Sequence, residues 1–368
     1  MSLMSAAILN TAPGNLQIEQ IPIPEPKAGE VLVKVHACGV CHTDLHVIKA
    51  EVAFPTPAVL GHEISGTIVS LGPGVRGPAP GTPVACAFIM PCGFCHYCSV
   101  GRDDLCDNFF AMNRLRGTLY DGTSRLRRTD GTTVAMYSMA GLAEYAVVPA
   151  TDVFPLPASL PVPESAILGC AVFTAYGAVR HAADLRGGER VAVVAAGGVG
   201  MNVVQIARAF GASQVIAVDV RDDKLEIARQ QGATDVINSR TTDVGKRVQE
   251  LTDGAGVDVA FEVLGRPETF MQAFEIIRDG GRMVAVGIAA GQTAAEIGIT
   301  RLVRRGLRVI GSYGARTRAD MPEIIRLVAG GLLRPDTMVT QRFPLAEADK
   351  AYQMLSRGEI VGRAIVVL

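Results

Sequence analysis

The sequence predicts an α/β protein of two domains, one β-rich with long loops and one built on a doubly wound parallel sheet. Three observations predict this fold class. The chain has 368 residues, which is long for a single hydrophobic core. Short β-branched runs fill its first half, and apolar strands alternate with helical segments in its second half.

The first half favours strands over helices. Runs such as EVLVKVHACGV, GTIVSLG and AEYAVVPA are rich in β-branched residues, and turn-forming clusters such as GPGVRGPAPG separate them. We therefore expect short strands joined by long loops up to about residue 160.

The second half indicates a parallel sheet with crossover helices. The strands RVAVVAA, QVIAVDV, VDVAFEVLG and RMVAVGI alternate with the helical segments VGMNVVQIARAFGA, DDKLEIARQQGA and PETFMQAFEIIRDGG. After GLRVIGSYG come a helix pattern, DMPEIIRLVAGGL, the segment QRFPLAEADKAYQMLSRGE and a last strand, GRAIVVL. The pattern leaves open whether this tail extends the second domain or folds back on the first.

Composition points to a small-molecule partner. Lys and Arg number 35 against 36 Asp and Glu, and they are scattered, so we expect neither a nucleic acid nor a membrane as partner. The longest apolar stretch, VAVVAAGGVGMNVV, is broken by glycines and is too short for a membrane span. No signal peptide is recognisable, so the 8 cysteines favour thiols and metal over disulfides, and we expect a cytoplasmic protein.

Four cysteines in the stretch CGFCHYCSVGRDDLC form the clearest motif. Their spacing, C-x2-C-x2-C-x7-C, brings four thiolates within reach of one tetrahedral zinc ion and leaves no position for a substrate. This predicts a structural site made by Cys92, Cys95, Cys98 and Cys106. An iron–sulfur site, a nucleic-acid-binding ribbon or a chance group of thiols are the alternatives.

Metal chemistry requires a second site with three protein ligands and a free position. Cys41 in GVCHTD, His62 in LGHEISG and Cys170 in LGCAVFTAYG are the candidates. Taken singly, a cysteine or a histidine of this kind is more often a packing residue. The three together, combined with a cofactor site, favour a zinc ion that binds an alcohol or carbonyl oxygen.

Four polar residues near these ligands have predicted supporting roles. Asp44 would hold the ring of His62 in one tautomer, and Glu63 would tune the ion or transiently coordinate it. Thr43 and His46 offer the hydroxyl and the imidazole needed to move a proton from a buried alcohol to water.

The cofactor site is predicted where a strand turns into a helix at AAGGVG. Gly197, Gly198 and Gly200 would let a pyrophosphate approach the helix N-terminus, although Ala195 occupies the first glycine place of G-x-G-x-x-G. The next strand, VIAVDV, includes Asp219, whose carboxylate would accept the ribose hydroxyls of NAD and repel the 2′-phosphate of NADP. NAD is therefore the expected cofactor, with NADP as the alternative because Arg221 lies close by.

Over essentially its whole length the chain resembles the medium-chain zinc-dependent alcohol dehydrogenases. The resemblance depends on GVCHTD, GHEISGTIVSLGPGV, the four-cysteine stretch, GCAVFTAYG, AAGGVG and FEVLGR, in that order. It implies a GroES-like β-rich catalytic domain, residues 1–171 and 314–368, and a Rossmann NAD-binding domain, residues 172–313. It also implies two zinc ions per chain and a homodimer or homotetramer.

The resemblance implies a role for each matching residue. Cys41, His62 and Cys170 would bind the catalytic zinc, and the four clustered cysteines would bind the structural one. Thr43 would take the alcohol proton and His46 would release it beyond the ribose, with Asp44 and Glu63 beside the zinc. The remaining residues would contact the cofactor (His42, Gly197, Gly198, Val199, Gly200, Asp219, Lys224, Val263, Ile288 and Arg363) or line the substrate pocket (Phe88 and Ile89).

The implied activity is reversible hydride transfer between a primary or secondary alcohol and NAD, which yields an aldehyde or a ketone. A polyol, amino-alcohol or other specialised alcohol dehydrogenase is the alternative. Val52 and Phe110 stand where the glutathione-dependent formaldehyde branch would carry an acid and an arginine, which argues against a glutathione adduct as substrate. A zinc-bearing or nucleotide-binding protein without turnover is disfavoured, because the open metal site has all of its residues.

Overall fold

The computed structural model describes residues 2–289, 291 and 293–368. The chain divides into two compact units. The first unit comprises Met1–Phe173 together with Arg316–Leu368, and the second unit comprises Thr174–Ala315.

The chain enters the first unit through short strands and short helices. Its strands here are β1 (Leu3–Leu9), β2 (Leu16–Pro22), β3 (Glu30–Gly39), β4 (Ala58–Val59), β5 (Ile64–Leu71), β6 (Pro83–Cys86), β7 (Leu126–Arg127), β8 (Thr133–Met136), β9 (Tyr145–Pro149) and β10 (Phe154–Pro155). Its helices here are α1 (His42–Ile48), α2 (His96–Ser99) and α3 (Ala171–Gly177), and α3 runs on into the second unit. The predicted β-rich region is confirmed.

The second unit alternates strands and helices. Its strands are β11 (Arg190–Val194), β12 (Gln214–Asp219), β13 (Asp235–Asn238), β14 (Val257–Glu262), β15 (Ile277–Ala285) and β16 (Arg308–Gly311). Its helices are α4 (Gly198–Ala209), α5 (Asp222–Gln230), α6 (Val244–Leu251), α7 (Pro267–Glu275) and α8 (Ile299–Arg304).

All strand pairs in this unit are parallel, in the order β13-β12-β11-β14-β15-β16. This is the order of a doubly wound dinucleotide-binding sheet, with its switch point beside β11. Strand residues such as Val193, Ala217 and Phe261 are fully buried, as expected for a sheet covered on both faces. The predicted α/β fold class is confirmed.

One predicted boundary is wrong. The segment PETFMQAFEIIRDGG was expected to be helical throughout, but α7 ends at Glu275 and β15 begins at Ile277. Ile277 pairs with Val257, and a bulge separates this pair from the next one along the two strands. Gly280 within the bulge adopts a φ of 72°. Sheet pairing therefore overrides the helical pattern of this segment. The sequence pattern had also assigned no element to β13 or α6.

The tail returns to the first unit. It contains α9 (Thr317–Ala329), β17 (Val339–Pro344), α10 (Ala348–Ser356) and β18 (Arg363–Val367). β18 pairs antiparallel with β3, with Val366 opposite Cys38, and parallel with β17. This pairing answers the question that the sequence pattern left open.

Two sheets organise the first unit. One has the order β2-β1-β4-β8-β7, and the other has the order β10-β6-β5-β3-β18-β17, with β9 also paired to β3. Cys38 in β3 and Cys86 in β6 are completely buried, which fits a packing role for both thiols. Among the described residues, no helix has the length and apolar character that crossing a membrane requires.

Candidate functional site

The first candidate site gathers residues from three separate places in the first unit. Cys41 precedes α1, His62 and Glu63 lie between β4 and β5, and Cys170 precedes α3. All four residues are buried, and their ligand atoms lie within 4.8 Å of one another. The structure therefore brings together the three predicted ligands and the predicted neighbour Glu63.

A hydrogen-bond network fixes the imidazole of His62. Its Nδ1 lies 3.0 Å from Asp44 Oδ1, which also accepts the backbone N–H of Gly61 at 3.1 Å. The other carboxylate oxygen of Asp44 accepts the hydroxyl of Tyr352 at 2.9 Å. Because a carboxylate at Nδ1 favours the N–H form there, the lone pair of the neutral ring is at Nε2.

Nε2 of His62 is buried and has no hydrogen-bond partner among the described residues. A buried nitrogen without a partner is costly in a folded protein unless something else satisfies it. Two thiols and one imidazole with a free lone pair are the donors that zinc prefers. The residues present therefore fit a zinc ion held by Cys41, His62 and Cys170.

The electrostatics of the site favour a positive charge among these atoms. The hydrogen bond with Cys170 lowers the pKa of the Cys41 thiol, against the opposing effect of burial. Burial acts to lower the pKa of His62, but the charges of Asp44 and Cys41 outweigh it and raise that pKa to about 10. A bound cation would supply the positive charge that the protonated ring otherwise provides.

Glu63 is buried beside the ligands and pairs with Arg363 of β18, whose guanidinium donates to Oε1. Burial raises the pKa of Glu63 to about 7, although Arg363 acts to lower it. The second carboxylate oxygen, Oε2, has no hydrogen-bond partner in the described part of the chain. The sequence did not predict this pairing, and contact of Arg363 with the cofactor pyrophosphate stays a prediction.

The remaining predicted residues near this site lie on α1 and after β6. Thr43 Oγ1 lies 3.7 Å from Cys41 Sγ, and the His46 ring pairs with Glu51, which lies in the turn after this helix. The ring centroid of Phe88 lies 6.0 Å from that of His62, and Ile89 is fully buried beyond it. His42 is exposed at the start of α1.

The four-cysteine cluster is compact, and its sulfur atoms accept hydrogen bonds from backbone N–H groups of the same segment. Sγ of Cys92 lies 4.0 Å from Sγ of Cys98, and Sγ of Cys95 lies 3.9 Å from Sγ of Cys106. Four sulfurs around one zinc at about 2.3 Å would be about 3.8 Å apart. Backbone N–H groups donate to these sulfurs, for example Cys92 N to Cys106 Sγ at 3.3 Å, which stabilises thiolates. The cluster therefore fits a closed, four-sulfur zinc site.

The Gly-rich turn lies in the second unit between β11 and α4. Ala195 adopts a φ of 79°, which lies in the left-handed region that normally requires glycine. Ala195 therefore keeps the backbone conformation of the glycine that the motif has at this position. A Cβ on Gly200 would lie 2.1 Å from the Ala195 carbonyl oxygen, whereas Gly197 faces open space. Gly197, Gly198 and the following Val199 thus form the helix N-terminus that could receive a pyrophosphate.

Asp219 ends β12 and reaches back to this turn. Its Oδ2 accepts the N–H of Ala196 at 2.9 Å, and its Oδ1 accepts those of Val220 and Arg221 at 2.8 and 3.1 Å. The carboxylate thus lies at the carboxyl ends of β11 and β12, where such sheets bind ligands.

The other predicted cofactor residues lie on neighbouring elements of this unit. Val263 follows β14, Ile288 follows β15 and is 48% exposed, and Lys224 lies on α5. Glu262, which the sequence did not suggest, accepts the N–H groups of Leu264 and Gly265 at 2.9 and 2.8 Å. It thereby holds the turn that carries Val263.

Comparison with known proteins gives two family matches. Residues 27–158 match the alcohol dehydrogenase GroES-like domain, and residues 198–330 match the zinc-binding dehydrogenase model. The chain belongs to the medium-chain zinc-dependent alcohol dehydrogenase family.

Relatives match over nearly their whole length. The chain is 34% identical to an NDMA-dependent alcohol dehydrogenase of Amycolatopsis methanolica, covering 98% of each chain. It is 35% identical to a probable S-(hydroxymethyl)glutathione dehydrogenase of Schizosaccharomyces pombe, covering 97% of this chain and 95% of the other. Benzyl alcohol dehydrogenase from Acinetobacter calcoaceticus has a similar structure, with a TM-score of 0.93, 31% identity and complete coverage of both chains.

The sequence analysis did not identify Tyr352, whose hydroxyl donates the third hydrogen bond to the Asp44 carboxylate. It lies on α10, 308 residues beyond Asp44 along the chain. Nothing near AYQML suggests a role, since the contact exists only because the tail folds back on β3.

Proposed function

We propose that this member of the alcohol dehydrogenase family is an NAD-dependent zinc enzyme that interconverts a primary or secondary alcohol and its aldehyde or ketone. The supporting observation is the buried set of Cys41, His62 and Cys170, in which Nε2 of His62 has no hydrogen-bond partner among the described residues. Three protein ligands leave one position of a tetrahedral ion for substrate.

Zinc in this site would supply Lewis acidity, which lowers the pKa of an alcohol oxygen by several units. NAD would supply the hydride acceptor. The residues of the protein position these groups. Asp44, which Tyr352 holds in place, orients the ring of His62. The buried rings of His62 and Phe88 exclude water from the zinc-binding position.

Thr43 and His46 would carry the substrate proton. They lie three residues apart on α1, so their side chains share one face of the helix. Thr43 lies beside the ligand Cys41, and the His46 side chain is 25% exposed, so it can pass a proton to water.

Asp219 is the reason to propose NAD over NADP. A carboxylate at the carboxyl end of the second strand accepts ribose hydroxyls and repels a 2′-phosphate. Its three backbone hydrogen bonds hold it in place beside the Gly-rich turn. NADP remains the second candidate because Arg221 lies two residues beyond Asp219.

The natural substrate is proposed only at the level of class. The aromatic rings of Phe88 and Phe173, with centroids 5.8 Å apart near His62, favour an apolar alcohol. Val52 and Phe110 do not offer the charged groups that a glutathione adduct would need. Polyol or amino-alcohol oxidation is the alternative within the family.

A homodimer or homotetramer in the cytoplasm is the proposed state. Strand β16 ends the sheet order of the second unit, and Ile299 and Val303 on α8 are 77% and 71% exposed. An edge strand with exposed apolar neighbours is typical of a surface that pairs with another copy.

The test is turnover with each nucleotide. Purified protein is assayed with NAD and with NADP against primary aliphatic, secondary, benzylic, polyol, amino-alcohol and S-(hydroxymethyl)glutathione substrates. We expect kcat/KM to be highest with NAD and an apolar alcohol. Preference for NADP, or for a polyol or the glutathione adduct, would contradict the finer proposal, and a lack of turnover with all of them would contradict the enzyme activity.

A further inference from the structure

A tight turn after α1 places Glu51 against His46. The carbonyl oxygen of His46 accepts the backbone N–H groups of Glu51 at 2.8 Å and of Val52 at 3.1 Å, while Ala50 adopts a φ of 58°. The chain therefore folds back on the last turn of the helix. As a result the carboxylate of Glu51 pairs with Nδ1 of His46, and the two side chains are 37% and 25% exposed.

This pairing determines which ring nitrogen can accept a proton. An ionised carboxylate only accepts hydrogen bonds, so the neutral ring of His46 carries its hydrogen on Nδ1 and its lone pair on Nε2. When Nε2 takes up a proton, the carboxylate also stabilises the resulting imidazolium. Without a partner, the neutral ring could adopt either tautomer and more than one orientation.

We propose that Glu51 is a positioning residue of the proton relay, acting through His46. This inference rests on the proposed function, in which Thr43 and His46 carry the alcohol proton. In the step concerned, the N–H bond at Nε2 of His46 forms as the O–H bond of the proton donor breaks. The imidazolium, paired with Glu51, then releases the same proton to water, so no electrons are transferred in this step.

The kinetic test uses Glu51→Gln, His46→Gln and the double variant, with Glu25→Gln as a matched control. Glu25 is exposed in the same unit, so its variant removes an equal charge. We expect Glu51→Gln to lower kcat about tenfold, with zinc content and the KM for alcohol unchanged, which is the lower end of the about 10- to 100-fold effect known for partners that orient metal-bound imidazoles. The double variant should be no slower than His46→Gln, because Glu51 acts only through that ring.

Two kinetic results would overturn the proposal. One is a kcat of Glu51→Gln within about twofold of the Glu25→Gln control, which is smaller than any orienting effect. The other is a double variant in which the two losses multiply, which would mean that Glu51 acts independently of His46. If the wild-type protein has no turnover, the proposed function fails, and the pairing itself is tested by spectroscopy.

That measurement is the ¹⁵N NMR of the His46 ring, assigned from the signal that disappears in His46→Gln. We expect the neutral ring of the wild type to be the Nδ1–H tautomer, and Glu51→Ala, which removes the acceptor, to shift it toward Nε2–H. A wild-type ring that is mainly Nε2–H, or a ring that Glu51→Ala leaves unchanged, would overturn the proposal whatever the kinetics show.

Discussion

Replacing Asp44 by Asn should weaken zinc binding at one site and leave the other unchanged. The carboxylate of Asp44 accepts hydrogen bonds from Gly61 N, His62 Nδ1 and Tyr352 Oη at distances of 2.9 to 3.1 Å. The amide of Asn can keep all three contacts if the Tyr352 hydroxyl rotates to accept, so the substitution removes mainly the negative charge. Loss of such a partner costs about 10- to 100-fold in metal affinity, or about 1.4–2.8 kcal/mol.

The assay is chelator competition on the cobalt-substituted protein, followed by the thiolate-to-cobalt absorption of each site. The four-cysteine site is the internal control, since in the described part of the chain the Asp44 carboxylate bonds to Gly61, His62 and Tyr352 and not to Cys92, Cys95, Cys98 or Cys106. Asp44→Ala serves for comparison, because it leaves three hydrogen-bond donors without their acceptor. Each unsatisfied donor costs about 1–3 kcal/mol, so this variant should also lower the free energy of unfolding. Equal affinity of Asp44→Asn and wild type at the Cys41 site would refute the role given to Asp44.

Three further predictions concern other parts of the chain. Gly200→Ala should weaken NAD binding more than about tenfold by calorimetry, because its Cβ would lie 2.1 Å from the Ala195 carbonyl oxygen and displace the turn; unchanged affinity would contradict this. Burial raises the pKa of Asp152 well above 3.8, so the folded state holds a proton that the unfolded chain releases, and stability falls as pH rises above that value. Asp152→Asn should therefore raise Tm relative to wild type more at about pH 8 than at about pH 5, and a pH-independent difference would refute it. Arg318→Met should lower Tm by several degrees. Asp103, whose side chain is 2% exposed, would lose its charged partner at 2.7 Å, which costs about 1–3 kcal/mol. An unchanged Tm would contradict this.

The four clustered cysteines were predictable because their chemistry is rare and local. Four cysteines within one short segment can reach one ion whatever the fold, and the structure brings them together. Cys41, His62 and Cys170 are far apart along the chain, so their grouping followed from the family resemblance and from the need for an open site. The structure places their ligand atoms within 4.8 Å of one another.

Contacts made by the tail could not be predicted from local pattern. Tyr352 and Arg363 reach Asp44 and Glu63 only because β18 pairs with β3, and strand pairing across more than 300 residues leaves no periodic signal. The end of α7 was missed for a similar reason, since pairing of Ile277 with Val257 overrides a helix-favouring sequence.

The most direct test is the zinc content of purified wild type, Cys170→Ser and Cys106→Ser, with alcohol turnover measured on the same samples. We expect about two zinc ions and turnover in the wild type, and about one ion without turnover in Cys170→Ser. Cys106→Ser should lose the other ion and stability. Turnover in a Cys170→Ser protein that has lost its second zinc ion would contradict the assignment of the open site.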